Sequence, residues 1–271
     1  MKTFYSFLMI AVLFSACSQD KTDTSNNPLL NSVLWVQHAA EYKASALQAY
    51  STAKTMLDKA LEDPQWTAAA EQTAGYLDLK PAIILDVDET VLDNSPYETQ
   101  VIRSGQPYNS TTWSAWCEQR RAGSIPGALE FCTYAHQKGV KVFYVTNRRE
   151  NVKEATRANL KMAGFPLEAD LETLIVRTKS SDKGERRALI AKDYRIILLI
   201  GDNAGDFHSG FTHAGQTQRD SLVSEFASNF GTKWILLPNP MYGDWESALF
   251  DYDYNLPAEE KEKVKSRKLI P

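Results

Sequence analysis

Cysteine is scarce in this chain, with three among 271 residues. So few exclude a disulfide scaffold as the basis of the fold. Positive charge is not in excess either. Thirty Lys+Arg stand against 34 Asp+Glu, a formal net charge of −4, which disfavours a nucleic-acid binder with its usual basic face. No apolar run beyond the extreme N-terminus is long enough to cross a bilayer, so a polytopic membrane protein is excluded. Internal repeats are lacking, and so is low complexity outside residues 18–27. What remains is ordinary globular composition, 43% hydrophobic and 24% charged. The length suits one large domain or two small ones with a sizeable core.

The N-terminus reads MKTFYSFLMIAVLFSAC. Lys2 is a positive n-region, Phe7–Phe14 an apolar h-region, and Ser15 and Ala16 are small residues suited to a signal peptidase. Cys17 follows at once, where a bacterial lipobox places its diacylglycerol, although Phe14 stands where Leu is usual. Residues 1–16 are thus expected to be a signal peptide and 17–28 a lipidated, polar tether. Residues 29–271 are expected to fold. The apolar run is too short for a transmembrane helix, so an exported lipoprotein held to a membrane through Cys17 is expected. Cys117 and Cys132 then remain, as a disulfide or as two separately buried thiols; spacing does not decide between them.

From Leu29 to Leu61 apolar residues recur at three- and four-residue steps, predicting an amphipathic helix ended by Pro64. Trp35 and Tyr42 flank its stripe as packing residues. Short apolar runs follow at Ala82–Leu85, Val140–Val145, Leu174–Val176, Ile196–Ile200 and Trp234–Leu237, and read as strands. Helical patterns separate most of them, notably Gly127–Lys138, Arg149–Ala163 and Lys183–Ala191. That alternation predicts an α/β fold, a doubly wound parallel sheet covered on both faces. Ligands in such sheets bind beyond the carboxyl ends of the strands.

Those ends carry carboxylates. PAIIL runs into Asp86-Val87-Asp88-Glu89-Thr90, where strand alternation would set Asp86 and Asp88 on one face. Two carboxylates so close call for a divalent cation, a shared proton, or both. VKVFYV ends at Thr146-Asn147-Arg148, offering a hydroxyl and an amide, although Thr is also an ordinary helix cap. RIILLI ends in Gly201-Asp202-Asn203-Ala204-Gly205-Asp206, adding two more acids. Lys183 opens a helix whose positive terminus favours anions.

DxDxT after an apolar strand, a strand ending in Thr, a Lys and then GDxxxD occur in that chain order. The pattern resembles the haloacid dehalogenase superfamily of phosphohydrolases. The four aspartates, with ILDVDETVLDNSPY, LLIGDNAGDF and LPNPMYGDWE, resemble its class C bacterial acid phosphatases, secreted lipoprotein 5′-nucleotidases. The N-terminal helix is similar too, while Ala204 stands where the family more often has a larger apolar residue.

The resemblance implies a haloacid dehalogenase-like Rossmannoid domain with an added N-terminal helix and a small cap insert at about residues 92–126. It also implies an outer-membrane location, a small phosphomonoester substrate, and catalysis by Asp86 as nucleophile with Asp88 as acid and base. One Mg²⁺ would be held by Asp86, Asp88 through its backbone carbonyl, Asp202 and, through water, Asp206. Thr146, Asn147 and Lys183 would bind phosphoryl oxygens. The family sandwiches a nucleobase between a cap aromatic and the tyrosine of PNPxYG. Here these are Tyr242 and, opposite it, Tyr108 or Trp113, for which plain cap packing is an equal reading. Two other readings stand beside this one: a non-catalytic surface lipoprotein (an adhesin or haem carrier) and a phosphotransferase using the same intermediate. Oligomeric state, a homodimer included, stays open at this level.

Overall fold

The computed structural model describes residues 24–271; Cys17 and the expected signal peptide lie outside them. Among the described residues seven strands form: β1 (Lys80–Leu85), β2 (Leu92–Asp93), β3 (Gly123–Ser124), β4 (Lys141–Arg149), β5 (Leu174–Arg177), β6 (Tyr194–Gly201) and β7 (Trp234–Leu236). Five of them make an all-parallel sheet in the order β5-β4-β1-β6-β7, and β2 and β3 pair separately as a short antiparallel ribbon. The chain winds outward from β1 through β4 to β5, then returns across β1 to β6 and β7. Its direction reverses at β1, and a crevice opens at that strand's carboxyl end.

Strand alternation divides the core. Ile83, Leu85, Val142 and Tyr144 face one apolar layer, whereas Ala82, Ile84, Phe143 and Val145 face the other. The first layer is covered by α2 (Ala40–Glu62) and, beyond the ribbon and cap, α5 (Ala128–Gln137). Helix α2 buries Tyr42, Ala46, Tyr50, Ala53, Leu57 and Ala60, a single stripe at helical spacing. Fully buried Leu57, Ile83 and Leu85 each contribute about 1.5–3 kcal/mol of apolar burial. The Tyr50 hydroxyl donates to the Thr90 carbonyl at 2.6 Å, tying this helix to the loop after β1. Gly127 permits the close approach of α5: its φ is +87°, and a Cβ there would press on the Tyr50 side chain.

The helix expected over Leu29–Leu61 is two helices, α1 (Leu30–His38) and α2, separated by Ala39 in extended conformation. The bend brings the rings of Trp35 and Tyr42 to 5.4 Å edge to face, whereas seven residues of straight helix advance by about 10 Å. Between β2 and β3 lie α3 (Ser95–Ser104) and α4 (Ser110–Glu118), and the β2–β3 ribbon closes the base of this excursion. Sequence patterning does not reveal a ribbon of two residues a side. The remaining helices are α6 (Lys153–Met162), α7 (Gly184–Ala191), α8 (Gln216–Glu225), α9 (Asp244–Ser247) and α10 (Ala258–Arg267). Helix α6 starts later than expected because β4 runs on to Arg149, which pairs in register with Arg177 of β5. Cys117 and Cys132 are separate buried thiols.

Candidate active site

The backbone N–H of Asp86 donates to the Ile200 carbonyl at 2.9 Å, extending the ladder one residue past β1. The chain then turns sharply: the N–H groups of Val91 and Leu92 both donate to the Val87 carbonyl at 3.0 and 2.9 Å. Glu89 takes a left-handed conformation with φ +54°. Because this is a loop and no longer a strand, Asp86 and Asp88 acquire different surroundings.

Asp86 meets Lys183, whose Nζ lies 2.5 Å from Asp86 Oδ1 and 2.6 Å from Asp206 Oδ1. Lys183 is nearly fully buried where α7 begins. Asp202 and Asp206 follow β6. The Asp206 carboxylate accepts from the Asn203 N–H at 3.0 Å while the Asn203 side chain accepts from Gly205, a reciprocal cap. Gly201 is required here, since a Cβ at that position would overlap the Asp206 carboxylate. Asp202 is aimed by Thr90 Oγ1 at 3.1 Å and Asn239 Nδ2 at 2.9 Å.

Asp86, Asp202 and Asp206 each offer an oxygen, and those oxygens lie within 4.8 Å of one another. One ammonium does not balance three such charges. Burial, with Asp206 and Asp88 adding and Lys183 opposing, pushes Asp86 up to about 7. Burial beside Asp206 and Asp86 raises Asp202 well above the carboxylate range. An all-oxygen donor set short of positive charge suits a hard divalent cation.

The Asp88 carboxylate stands apart from that cluster. Its Oδ1 accepts from Arg148 Nε at 2.9 Å, Arg148 NH2 at 2.8 Å and Asn94 Nδ2 at 2.8 Å. Among the described residues Oδ2 receives only the Thr146 hydroxyl, at 3.4 Å. Arg148, 2% exposed, also bonds Thr156 and Asn94, and Trp116 Nε1 donates to the same Asn94 oxygen at 2.8 Å. Sequence reasoning passed over Arg148, Asn94 and Trp116. The signals were the last residue of Thr-Asn-Arg, the Asn of the Asp-Asn-Ser-Pro run, and a tryptophan within the expected cap insert.

Thr146 is fully buried, and its hydroxyl accepts from the Arg148 N–H at 3.0 Å. Arg186 bonds the Thr146 carbonyl at 2.6 Å and Asn147 Oδ1 at 2.8 Å. Asn147 lines the open site, whereas Thr146 and Lys183 lie beneath its surface. Above is a cavity of about 850 Å³ that reaches Asp86, Asp88, Asp202 and Asp206 and is bordered by Tyr108, Trp113 and Tyr242. Tyr108 is 60% exposed. Trp113 is braced edge to face by Tyr97 at 5.0 Å, with the Arg148 guanidinium 5.4 Å from its ring. The Tyr242 hydroxyl donates to Glu89, linking the segment after β7 to the loop after β1. Trp245, also on the cavity wall, was not anticipated.

The sequence signature described as HAD superfamily, subfamily IIIB (acid phosphatase), matches residues 13–245. A class C acid phosphatase from Bacillus anthracis has a similar structure, with a TM-score of 0.80 and 37% identity over 90% of this chain and 97% of that one. The same Bacillus protein with tungstate bound gives a TM-score of 0.79. Among curated sequences, acid phosphatase 1 of Solanum lycopersicum is 30% identical over 167 residues, and a stem 31 kDa glycoprotein of Glycine max is 28% identical over 176. The chain spans 57% and 59% of the length of these two plant relatives.

Proposed function

The chain belongs to subfamily IIIB of the HAD superfamily, the acid phosphatase subfamily, and on that premise we propose that it hydrolyses phosphate monoesters, nucleoside 5′-monophosphates foremost. One observation carries the reading. Three carboxylates within 4.8 Å of one another, two of them bridged by a buried lysine, floor a cavity walled by aromatic side chains. Tungstate in the Bacillus relative, a tetrahedral oxyanion like phosphate, supports the same reading.

Asp86 attacks phosphorus, the ester P–O bond breaks, and the leaving alkoxide takes a proton from Asp88. Water then attacks the aspartyl-phosphate, Asp88 receives its proton, and phosphate departs with Asp86 restored. Oδ1 of Asp88 is occupied by three donors, so the proton travels on Oδ2. Lys183, with Asn147 at the surface, offsets charge on the transferring group. Asp86, Asp202 and Asp206, with the Asp88 carbonyl, would hold Mg²⁺, which supplies charge neutralisation and orients the phosphoryl oxygens. Tyr242 and Tyr108 or Trp113 offer faces for a nucleobase. Acylation at Cys17, with outer-membrane attachment, rests on the sequence pattern.

The test is hydrolysis of an aryl phosphate across pH, with and without chelator, followed by nucleoside monophosphates. Asp86→Asn should abolish turnover while the fold persists, and excess chelator should abolish it reversibly. Near wild-type hydrolysis by the variant overturns the covalent route, and undiminished hydrolysis in chelator removes the metal.

A further inference from the structure

Beside the aspartates stand two arginines that the proposed hydrolysis does not use. Arg149 ends β4, Arg177 ends β5, and the two are register partners. Neighbours on parallel strands lie about 4.8 Å apart with side chains on one face, so two like charges are set together. Both line the cavity that reaches Asp86. Arg149 is exposed and Arg177 partly buried. Among the described residues neither makes an ion pair with a carboxylate, although acids are close by. Glu150 follows Arg149 in the chain, and Glu172, just before β5, is engaged by Lys153 at 3.1 Å and Arg157 at 2.6 Å. Adjacent Arg186 is no relief: its guanidinium bonds only carbonyls and the Asn147 amide. Tyr108 lines the same cavity as the two arginines and Asp88.

Resting on the phosphatase reading, we infer that Arg149 and Arg177 form a second anion subsite. It favours phosphomonoesters whose leaving group carries another phosphate or a carboxylate. An unneutralised arginine pair repels itself, and an anion with two or three acceptor oxygens relieves that repulsion through charge-assisted, forked hydrogen bonds. The bond broken is unchanged; the pair contributes to which leaving group is held while Asp86 attacks. Because such contacts act alike in ground and transition states, their effect falls on KM.

The experiment compares adenosine 3′,5′-bisphosphate with adenosine 5′-monophosphate in the full chain, both followed as loss of the 5′-phosphate. The wild type should have the higher kcat/KM for the bisphosphate, with the advantage shrinking as salt rises. Arg177→Gln should lower the bisphosphate-to-monophosphate ratio about tenfold, and adding Arg149→Gln should lower it further. In the Asp86→Asn background, titration with adenosine 3′,5′-bisphosphate reads the subsite without turnover, and its Kd should rise in the same order. A wild type indifferent to the 3′-phosphate, or a ratio and Kd unmoved by both substitutions, overturns the inference while leaving phosphatase activity standing. A wild type that hydrolyses neither nucleotide nor any aryl phosphate overturns the phosphatase reading instead.

Discussion

Arg148→Ala is the substitution with the most to say about Asp88. The Arg148 side chain is 1% exposed and that of Asp88 18%, so removing the arginine strands a carboxylate with little water to replace its partner. Breaking a buried ion pair costs about 3–5 kcal/mol. The residual exposure of Asp88 puts this one at the lower end, about 3 kcal/mol. For a chain of this size that is a fall in Tm of roughly 6–12 °C. The bonds to Thr156 and Asn94 go as well, so Oδ1 of Asp88 loses two donors and its aim. Because general acid–base catalysis supplies about 10²–10⁴-fold, kcat should fall at least about hundredfold. Arg148→Lys keeps the charge but not the fork. It should recover part of the stability and little of the turnover. Thermal melts beside steady-state hydrolysis of an aryl phosphate, assayed well below each variant's Tm, separate the two effects. A lowered Tm with wild-type kcat would show that Arg148 supports the fold without orienting Asp88, and would refute the reasoning.

Tyr242→Ala should weaken nucleoside monophosphates by about 1–3 kcal/mol of stacking, read in KM, and aryl phosphates less, whereas Tyr242→Phe should lose only the bond to Glu89. Equal losses for every substrate would make Tyr242 a support of the loop. Titration with a thiol reagent in denaturant should find both Cys117 and Cys132 reactive without prior reduction, and reductant should leave the Tm of the native protein unchanged. Burial, with Glu246 adding, pushes Glu98 up to about 7, so between its ordinary 4.5 and about 7 the native state holds a proton that the unfolded chain has released. Stability from this group is therefore full below about 4.5 and lost as pH rises through 7. Glu98→Gln should raise stability by roughly 3 kcal/mol at pH 8 and leave it unchanged near pH 4.5; a gain that does not depend on pH would refute the assignment.

The sheet was legible because its strands are short apolar runs bounded by turn residues; Asp86 and Asp202 were legible because they follow such runs directly, and Asp206 because it closes the glycine-containing turn that Asp202 opens. Lys183 showed itself as the start of a helix. Arg148 did not, since a strand-end arginine reads as a solvated cation until tertiary structure brings Asp88, Asn94 and Thr156 around it. Asn94 lies six residues after Asp88, but only the sharp turn after β1 folds it back onto that carboxylate. Trp116 reaches Asn94 from 22 residues further along the excursion between β2 and β3, too far for a local pattern to carry. The divergence of Asp88 from Asp86 was hidden for a different reason. Alternation was extended past Leu85, where the backbone has already turned so that two N–H groups share the Val87 carbonyl.

That divergence bears on why the two aspartates have different cations. In the proposed reaction a nucleophile needs its charge moderated while a lone pair stays free to attack. Lys183 suits this, a compact ammonium shared between Asp86 and Asp206 and able to follow the charge as it moves to the phosphoryl group. An acid–base group needs the opposite: one oxygen fixed so that the other delivers its proton along a set direction. Arg148 does that with two nitrogens on a single oxygen of Asp88, its own plane locked by Thr156 and Asn94. Exchanging the cations would harm both roles. A guanidinium at position 183 would hold Asp86 in a rigid fork, and an ammonium at position 148 would leave Asp88 free to rotate toward the carboxylate cluster. In the proposed reaction the lysine and the arginine would thus divide two chemically identical side chains, two residues apart, into two distinct jobs.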